Sequence, residues 1–236
     1  DAMFADVDAV VFSVPPAVQA DLAVRAARAG CHLLLEKPTA LTVDAADAVA
    51  SAVAEAQVAS VVFVTARFQP RVRHWLSTLA GEREWTIGTA QWLSSSLITG
   101  GPFDTPWRRA KGGLWDLGPH VLSVLMPALG PVRSVVATGS LTGTTTLDLV
   151  HTAGARSEVT LSIAAAPDAS GPLSVELTAV GAATTMPLEW DPPRVAVRLA
   201  LEELIRAAET GVPHPCDAAF GREIVAVLAE AERQLA

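Results

Sequence analysis

The stretch DAVVFSVPPAVQADLAVRAARAGCHLLLE, residues 8–36, decides the fold of the first part of the chain. Both of its ends, residues 8–14 and 32–36, are short apolar runs, which is typical of buried parallel strands. Between them, apolar residues recur at helical spacing over 17–29, and Gly30 stands where a glycine commonly ends a helix. A strand, a helix and a strand within about thirty residues predict a right-handed βαβ unit in a parallel sheet.

The alternation of strands and helices continues beyond this unit. Either Thr42 or Asp44 could cap a second helix over roughly 44–57. The apolar run SVVFVTARF, residues 60–68, predicts a third strand. Alternating elements of this kind are the pattern of a doubly wound α/β sheet, so we expect a first domain over residues 1–69.

A different pattern begins at Pro70. Short strand-like runs separated by glycine-containing turns between residues 132 and 190 predict a large, open, mostly antiparallel sheet. We therefore expect residues 70–236 to form a second, α+β domain. The other elements predicted there are a helix near 71–80, a strand over 85–97, a loop over 101–113, a helix from 113 to about 129, and helices near 194–210 and 217–235.

The composition of the chain argues against several classes of protein. The formal charge is −8, and no basic run or stripe is present, so we expect no nucleic-acid partner. No apolar stretch reaches the ~18–20 residues that cross a bilayer, so we expect no membrane association. Cys31 and Cys216 form neither a CxxC pair nor a cluster of zinc spacing. This cysteine usage fits a reducing cytoplasm, and Cys31 is expected to be a buried thiol.

One helical stretch, GLWDLGPHVLSVL at residues 113–125, carries two polar residues on one face. Asp116 and His120 are four residues apart, which places them one above the other on a helix. Asp116 in the first turn favours the helix dipole, which is a structural explanation. His120 needs a partner, which Asp116 could supply, or both side chains face a substrate. A metal site would need a third ligand, and none is close in sequence.

The tripeptide Glu36-Lys37-Pro38 ends a predicted buried strand. Ligands of open α/β sheets bind beyond the carboxyl ends of the strands, which places Lys37 where a ligand would lie. A surface ion pair followed by a turn proline explains the same residues without a ligand. The sequence does not decide whether the peptide bond before Pro38 is cis or trans.

Two further segments are candidates for binding. Ser13, Pro15 and Pro16 follow the first strand, where they could form the floor of a cofactor cleft or simply begin a helix. Trp107 and Arg108 precede the helix described above. An arginine there could bind phosphate or sugar oxygens, or it could be a solvated loop residue.

Taken in order, these motifs resemble one family. The first strand followed by Pro-Pro, then AGCHLLLEKPTALT (29–42), RFQP (67–70) and PWRRAKGGLWDLGPHVL (106–122), is similar to the Gfo/Idh/MocA oxidoreductases. That family is named for glucose–fructose oxidoreductase and inositol dehydrogenase. The EKP tripeptide and the later GG-x-x-D-x-G-x-H are specific as a pair. By motif the resemblance covers roughly residues 1–125.

The resemblance implies a partial Rossmann dinucleotide-binding domain over residues 1–69 and a substrate-binding and oligomerisation domain over 70–236. It also implies NAD or NADP as cofactor, a homodimer or homotetramer, and a catalytic set of Lys37, Asp116 and His120 that meets at the nicotinamide. The further residues implied are Ser13, Pro15, Pro16, Glu36 and Pro38 with Lys37 for cofactor binding, and Trp107 and Arg108 with Asp116 and His120 for substrate binding.

The implied activity is hydride transfer between NAD(P) and a sugar, a polyol or a related hydroxy compound. His120 would take the hydroxyl proton, because its ordinary pKa of ~6.5 lies near working pH. Lys37 would stabilise developing negative charge on oxygen. Asp116 would orient His120 or bind a neighbouring hydroxyl. The alternatives are a glycoside-cleaving or dehydratase-like relative that recycles its NAD, and a non-catalytic sensor or regulatory protein on the same fold.

One motif of the family does not occur in this sequence. The chain contains no GxGxxG phosphate loop, which the family places before the strand that corresponds to residues 8–14. By family analogy, we expect a segment of roughly sixty residues upstream of Asp1 that holds this loop.

Overall fold

The computed structural model of the chain describes residues 2–79, 84–97, 100–101 and 103–235. No helix in these ranges is long and apolar enough to cross a membrane. In chain order the elements are β1 (Ala9–Val11), α1 (Pro16–Arg28), β2 (His32–Glu36), α2 (Val43–Ala56), β3 (Ser60–Phe63), α3 (Pro70–Leu79), β4 (Ile87–Leu93), α4 (Pro106–Leu129), β5 (Val132–Gly139), β6 (Thr145–His151), β7 (Arg156–Ser162), β8 (Ser174–Ala179), β9 (Ala182–Thr185), α5 (Pro193–Thr210) and α6 (Ala218–Leu235).

The chain divides into two compact units. One consists of Asp1–Gln69 and Asp191–Ala226, and the other of Pro70–Trp190 and Val227–Ala236. The first division falls at residue 69, where the sequence analysis places a domain boundary. Residues 191–226 were expected in the second domain, but they pack with residues 1–69 instead.

The first unit contains the predicted parallel sheet, in the order β1-β2-β3. Strand β2 has the predicted bounds, and Gly30 before it has a positive φ of 88°, as expected for a glycine that follows a helix. Thr42 caps α2, since its side chain accepts a hydrogen bond from the Ala45 N–H at 3.2 Å. Asp44 lies in the first turn of α2 instead of at the cap.

Two strand predictions in this unit are wrong in part. Strand β1 is shorter than predicted, and Ala9 and Val11 are exposed. Among the described residues, β1 is an edge strand that pairs with β2. Residues 65–68 form a 3-10 helix and not the end of a strand. The turn buries Phe68 in an apolar cluster, which explains why its hydrophobic character resembled a strand.

Helix α5 covers the apolar side of this sheet. The cluster that it forms with the first segment consists of Leu34, Val61, Phe68, Ala196, Ala200 and Leu204. Farther along, the Cys216 carbonyl accepts the Val62 N–H at 2.7 Å, so this segment covers the free edge of β3. Burial raises the pKa of the Cys216 thiol to about 12, and Cys31 is buried as expected.

The second unit is built on a six-stranded sheet in the order β5-β6-β7-β4-β8-β9. All neighbours are antiparallel except β4 and β7, which confirms the predicted mostly antiparallel sheet. Side chains alternate along each strand, so that Leu147 and Leu149 are buried while Asp148 between them is exposed. The last predicted run, residues 184–190, is a strand only as far as Thr185.

His151 is a fully buried polar residue in this unit. Its Nδ1 donates to the Gly130 carbonyl at 2.6 Å, because a carbonyl oxygen can only accept, and its Nε2 therefore accepts the Ser157 hydroxyl at 2.9 Å. Burial lowers the pKa of His151, and the bond to Gly130 only partly offsets this effect. The folded protein thus holds a neutral ring.

We expect this histidine to make the protein less stable in mild acid. The pKa is lower in the folded state than the ~6.5 of the unfolded chain, so the unfolded state binds the extra proton. The stabilisation is complete above pH ~6.5 and falls as pH drops towards the folded pKa, by at most about 1.4 kcal/mol per pH unit. Urea unfolding between pH 7 and 5 measures this loss. His151→Asn should reduce the change in unfolding free energy with pH. His74→Ala, at an exposed position, should leave it as in wild type. An equal pH dependence in all three proteins would contradict the prediction.

Candidate active site

The first group of predicted site residues lies at one edge of the parallel sheet. Because β1, β2 and β3 run in the same direction, their carboxyl ends share this edge. Ser13 and Pro15 are exposed after β1, and Lys37 is half-buried after β2. The bond between Lys37 and Pro38 is cis. The structure therefore brings together the residues that the sequence suggests for cofactor binding.

Gln19 holds the turn that contains Lys37, although the sequence analysis does not include it. It is fully buried in α1, and its amide forms four hydrogen bonds, all with backbone atoms of residues 36–39. The available signal was an amide on the side of α1 that otherwise carries buried alanines such as Ala20 and Ala23.

The second group of predicted site residues lies on or beside α4. The predicted loop over residues 101–113 is wrong, because α4 begins at Pro106. Thr105 caps this helix by accepting the Arg108 N–H at 3.3 Å, and proline is favourable at the first helical position. The two glycines that suggested a loop interrupt the helix at Gly112 only, where φ is 60° and ψ is −161°.

The interruption at Gly112 is also a point of close backbone approach. A Cβ atom at Gly112 would lie 1.6 Å from the Leu141 carbonyl oxygen. A Cβ atom at Gly113 would lie 3.1 Å from the backbone of Ser162. Neither position leaves room for a larger residue without movement, so these glycines fix where the second part of the helix starts.

Asp116 and His120 are both buried, at 6% exposure each. The Arg108 Nε donates to Asp116 Oδ2 at 3.0 Å, so Asp116 has a cationic partner from the first part of the helix. The His120 ring stands edge-on to Trp92 of β4, with 5.3 Å between the ring centroids. Trp92 in turn packs edge-on against Trp190 at 5.7 Å.

Aromatic rings surround the Arg108 guanidinium. Its central carbon lies 5.3 Å from the Phe103 ring centroid and 5.7 Å from that of Trp107. The neighbouring Arg109 forms an ion pair with Asp104 at 2.5 Å. Arg109 first, and then the Gly100 N–H, lower the pKa of Asp104. The two arginines therefore have different partners, Asp116 for Arg108 and Asp104 for Arg109.

Sequence reasoning did not find Trp92 or Trp190, whose signals were only aromatic residues in or after strand-like runs. No group of three or more His, Cys, Asp or Glu residues that could hold a metal ion occurs in the part of the chain that the structure describes. This site consists of an arginine, a carboxylate and an imidazole among aromatic rings.

Comparisons with known proteins identify the N-terminal segment. Residues 1–64 match the family model GFO_IDH_MocA, described as an oxidoreductase family with an NAD-binding Rossmann fold. This confirms the resemblance to the Gfo/Idh/MocA family. The search of curated proteins found no significant match to the chain.

Solved structures with a similar fold cover nearly the whole chain. GenD2 from gentamicin A biosynthesis, solved in complex with NAD, is 22% identical with a TM-score of 0.82 over 99% of this chain and 78% of its own. Levoglucosan dehydrogenase in complex with NADH is 16% identical, with a TM-score of 0.84 over 99% and 80%. UDP-N-acetylglucosamine 3-dehydrogenase GnnA from Acidithiobacillus ferrooxidans is 20% identical, with a TM-score of 0.77 over 100% and 82%. These likenesses confirm the predicted fold, a Rossmann-like sheet followed by a large open sheet.

Proposed function

We propose that this protein is an NAD(P)-dependent dehydrogenase or reductase that acts on a CH–OH group of a sugar, a polyol or a related hydroxy compound. The observation that carries this proposal is the buried Asp116 and His120 pair on α4, with Arg108 fixed on Asp116. It occurs in a chain whose N-terminal residues match an NAD-binding oxidoreductase family. Two proteins of similar fold are named as dehydrogenases of levoglucosan and of UDP-N-acetylglucosamine, which supports a sugar or polyol substrate.

The carboxyl edge of the parallel sheet fits a dinucleotide. Ser13 and Pro15 are exposed there, and the backbone around Lys37 is fixed by Gln19, so the edge is both accessible and rigid. We propose that Ser13, Pro15, Pro16, Glu36, Lys37 and Pro38 hold the nicotinamide half of NAD or NADP. When bound, the cofactor accepts or donates the hydride.

His120 is proposed to hold the proton that leaves the substrate hydroxyl. The loss of hydride turns the alcohol into a carbonyl, so the hydroxyl proton must leave in the same reaction, and a neutral imidazole can accept it. The edge-on packing against Trp92 restricts the orientation of the ring. Lys37 would stabilise negative charge on the substrate oxygen.

The ion pair with Arg108 suggests a specific role for Asp116. A carboxylate oxygen carries more than one lone pair, so a carboxylate that pairs with a guanidinium can also accept a substrate hydroxyl. We therefore favour Asp116 as a substrate contact with Arg108 and Trp107 at its side.

The homodimer or homotetramer, the cytoplasmic location and the absence of nucleic-acid and membrane partners remain proposals.

Titration of the purified protein with NADH and with NADPH, followed by tryptophan fluorescence, tests the proposal. We expect saturable quenching by at least one of them, since Trp107 and Trp115 both lie on the helix that carries Asp116 and His120. Free tryptophan amide titrated in parallel corrects for light absorbed by the nucleotide. A folded protein that shows no saturable quenching with either nucleotide would contradict the proposal.

Turnover assays then separate the activities. Production of NADH or NADPH from sugars and polyols supports a dehydrogenase. Tightly held cofactor without net NADH production would instead indicate the relative that recycles its NAD. Binding without any turnover of a broad panel of hydroxy compounds would favour the sensor or regulatory protein.

A further inference from the structure

The amide of Gln19 lies against the turn that carries Lys37. Its side chain is fully buried, although it belongs to a helix that begins only three residues earlier, at Pro16. The amide oxygen accepts the Glu36 N–H at 2.8 Å. The amide nitrogen donates to the carbonyls of Glu36 at 2.8 Å, Thr39 at 3.2 Å and Pro38 at 3.3 Å.

These hydrogen bonds bracket Lys37 on both sides. They fix the peptide groups immediately before it and the two residues immediately after it, while none of them involves Lys37 itself. The Lys37 N–H is oriented separately by the Glu36 carboxylate, at 3.2 Å. The backbone is thus held through one side chain, and the lysine side chain projects from a fixed point.

Helix α6 supports the same turn. A Cβ atom at Gly221 would lie 2.6 Å from Thr39 Cγ2 and 2.9 Å from Val62 Cγ2. Thr39 is itself buried, at 2% exposure. The turn therefore has an amide of α1 and the backbone of α6 packed against it.

The chemistry of this contact requires a primary amide. One group must accept from an N–H and donate to carbonyl oxygens at the same time, which a glutamine amide does and a carboxylate does not. Glutamate at this position would place negative charge against three carbonyl oxygens unless it became protonated. Methionine fills a similar volume but neither donates nor accepts effectively, so the turn would lose all four bonds.

We infer that Gln19 is a positioning residue that presents Lys37 at the cofactor edge of the sheet. It acts through the backbone of residues 36–39 and does not itself contact the reacting atoms. The part of this inference that concerns catalysis rests on the proposed function. The part that concerns the turn is independent of any ligand.

Amide hydrogen exchange of Gln19→Met against wild type tests the turn directly. We expect the Glu36 amide to exchange at least about tenfold faster, because its acceptor is removed, while the Leu34 amide keeps its protection. The rate at which an amine-reactive reagent labels Lys37 should also differ between this variant and wild type. Gln91→Met, at an exposed position of β4, is the matched control. Unchanged exchange of Glu36 and unchanged labelling of Lys37 in Gln19→Met would overturn the inference.

Gln19→Glu provides a second variant with the same shape. At neutral pH we expect the Glu36 amide to exchange faster than in wild type, because the carboxylate repels the carbonyl oxygens to which the Gln19 amide donates. As the buried carboxyl becomes protonated in acid, we expect slower exchange than in Gln19→Met at the same pH. This recovery is specific to a restored donor, since a loss of general stability would not be repaired by acid. A Gln19→Glu protein that parallels Gln19→Met at every pH would overturn the inference.

Kinetics extend the test to function. The folded Gln19→Met protein should show kcat/KM lowered about tenfold or more, whereas a merely structural residue would reduce the amount of folded protein and leave kcat and KM of that fraction unchanged. Unchanged kcat and KM would overturn the catalytic part. A wild type that neither binds nor turns over nicotinamide nucleotides overturns the proposed function instead, and the exchange data then still decide whether Gln19 holds the turn.

Discussion

Replacing His120 with alanine is expected to lower kcat by at least about 10²-fold, with the protein still folded. The imidazole is the proposed proton acceptor, and an alanine side chain has no group that can accept a proton. Because His120 is buried against Trp92, alanine also leaves a cavity, so His120→Asn serves as a variant with less lost volume. Steady-state rates and circular dichroism of both variants measure the two effects separately.

The matched control for this experiment is His74→Ala. His74 lies exposed on α3, in the same compact unit, and its loss should leave kcat unchanged. Lys37→Ala should also lower kcat, since the charge of Lys37 is proposed to stabilise the same transition state. Turnover at the wild-type rate in both His120 variants would remove the catalytic assignment.

Substitution of Gly112 by alanine is expected to lower the free energy of unfolding by more than about 3 kcal/mol. The new Cβ would lie 1.6 Å from the Leu141 carbonyl oxygen, and φ at this position is 60° with an extended ψ, which non-glycine residues avoid. Relief of the clash requires the start of the helix or the Leu141 segment to move. Urea denaturation at pH 7 measures the loss.

Gly171→Ala is the corresponding control for Gly112→Ala. A Cβ at Gly171 meets no atom within 4 Å, and φ there is not in the positive range. Its unfolding free energy should remain within about 0.5 kcal/mol of wild type. If Gly112→Ala unfolds at the same urea concentration as Gly171→Ala, the close approach to Leu141 does not constrain the native state.

Sequence patterns predicted correctly those elements that depend on residues close together in the chain. Strand β2 follows from neighbouring residues and was predicted with its bounds, and Thr42 was one of the two residues predicted to cap α2. The 3-10 turn at 65–68 did not follow, because its hydrophobic residues serve a cluster with α5, whose residues come much later in the chain. The parallel pairing of β4 with β7 likewise depends on partners that are far apart in sequence.

The candidate site shows the same division. The spacing of Asp116 and His120 predicted that they share a helix, because residues four apart lie on one face. The bond from Arg108 to Asp116 was not predictable in this way. Residues eight apart in a continuous helix are separated by about 12 Å along the axis. The interruption at Gly112 changes that geometry, and sequence alone does not show how a glycine will be used.

The discontinuous first unit sets an order of events during protein synthesis. Its three-stranded sheet leaves the ribosome before the second sheet, but the helix that covers Leu34 and Val61 belongs to residues 191–226, which are translated only after the whole second sheet. Domains usually begin to fold from the N-terminus as they emerge. In this chain the face of the nascent sheet that carries Leu34 and Val61 would remain exposed until α5 has been translated. We therefore expect chaperones that bind exposed apolar segments to recognise this face during synthesis.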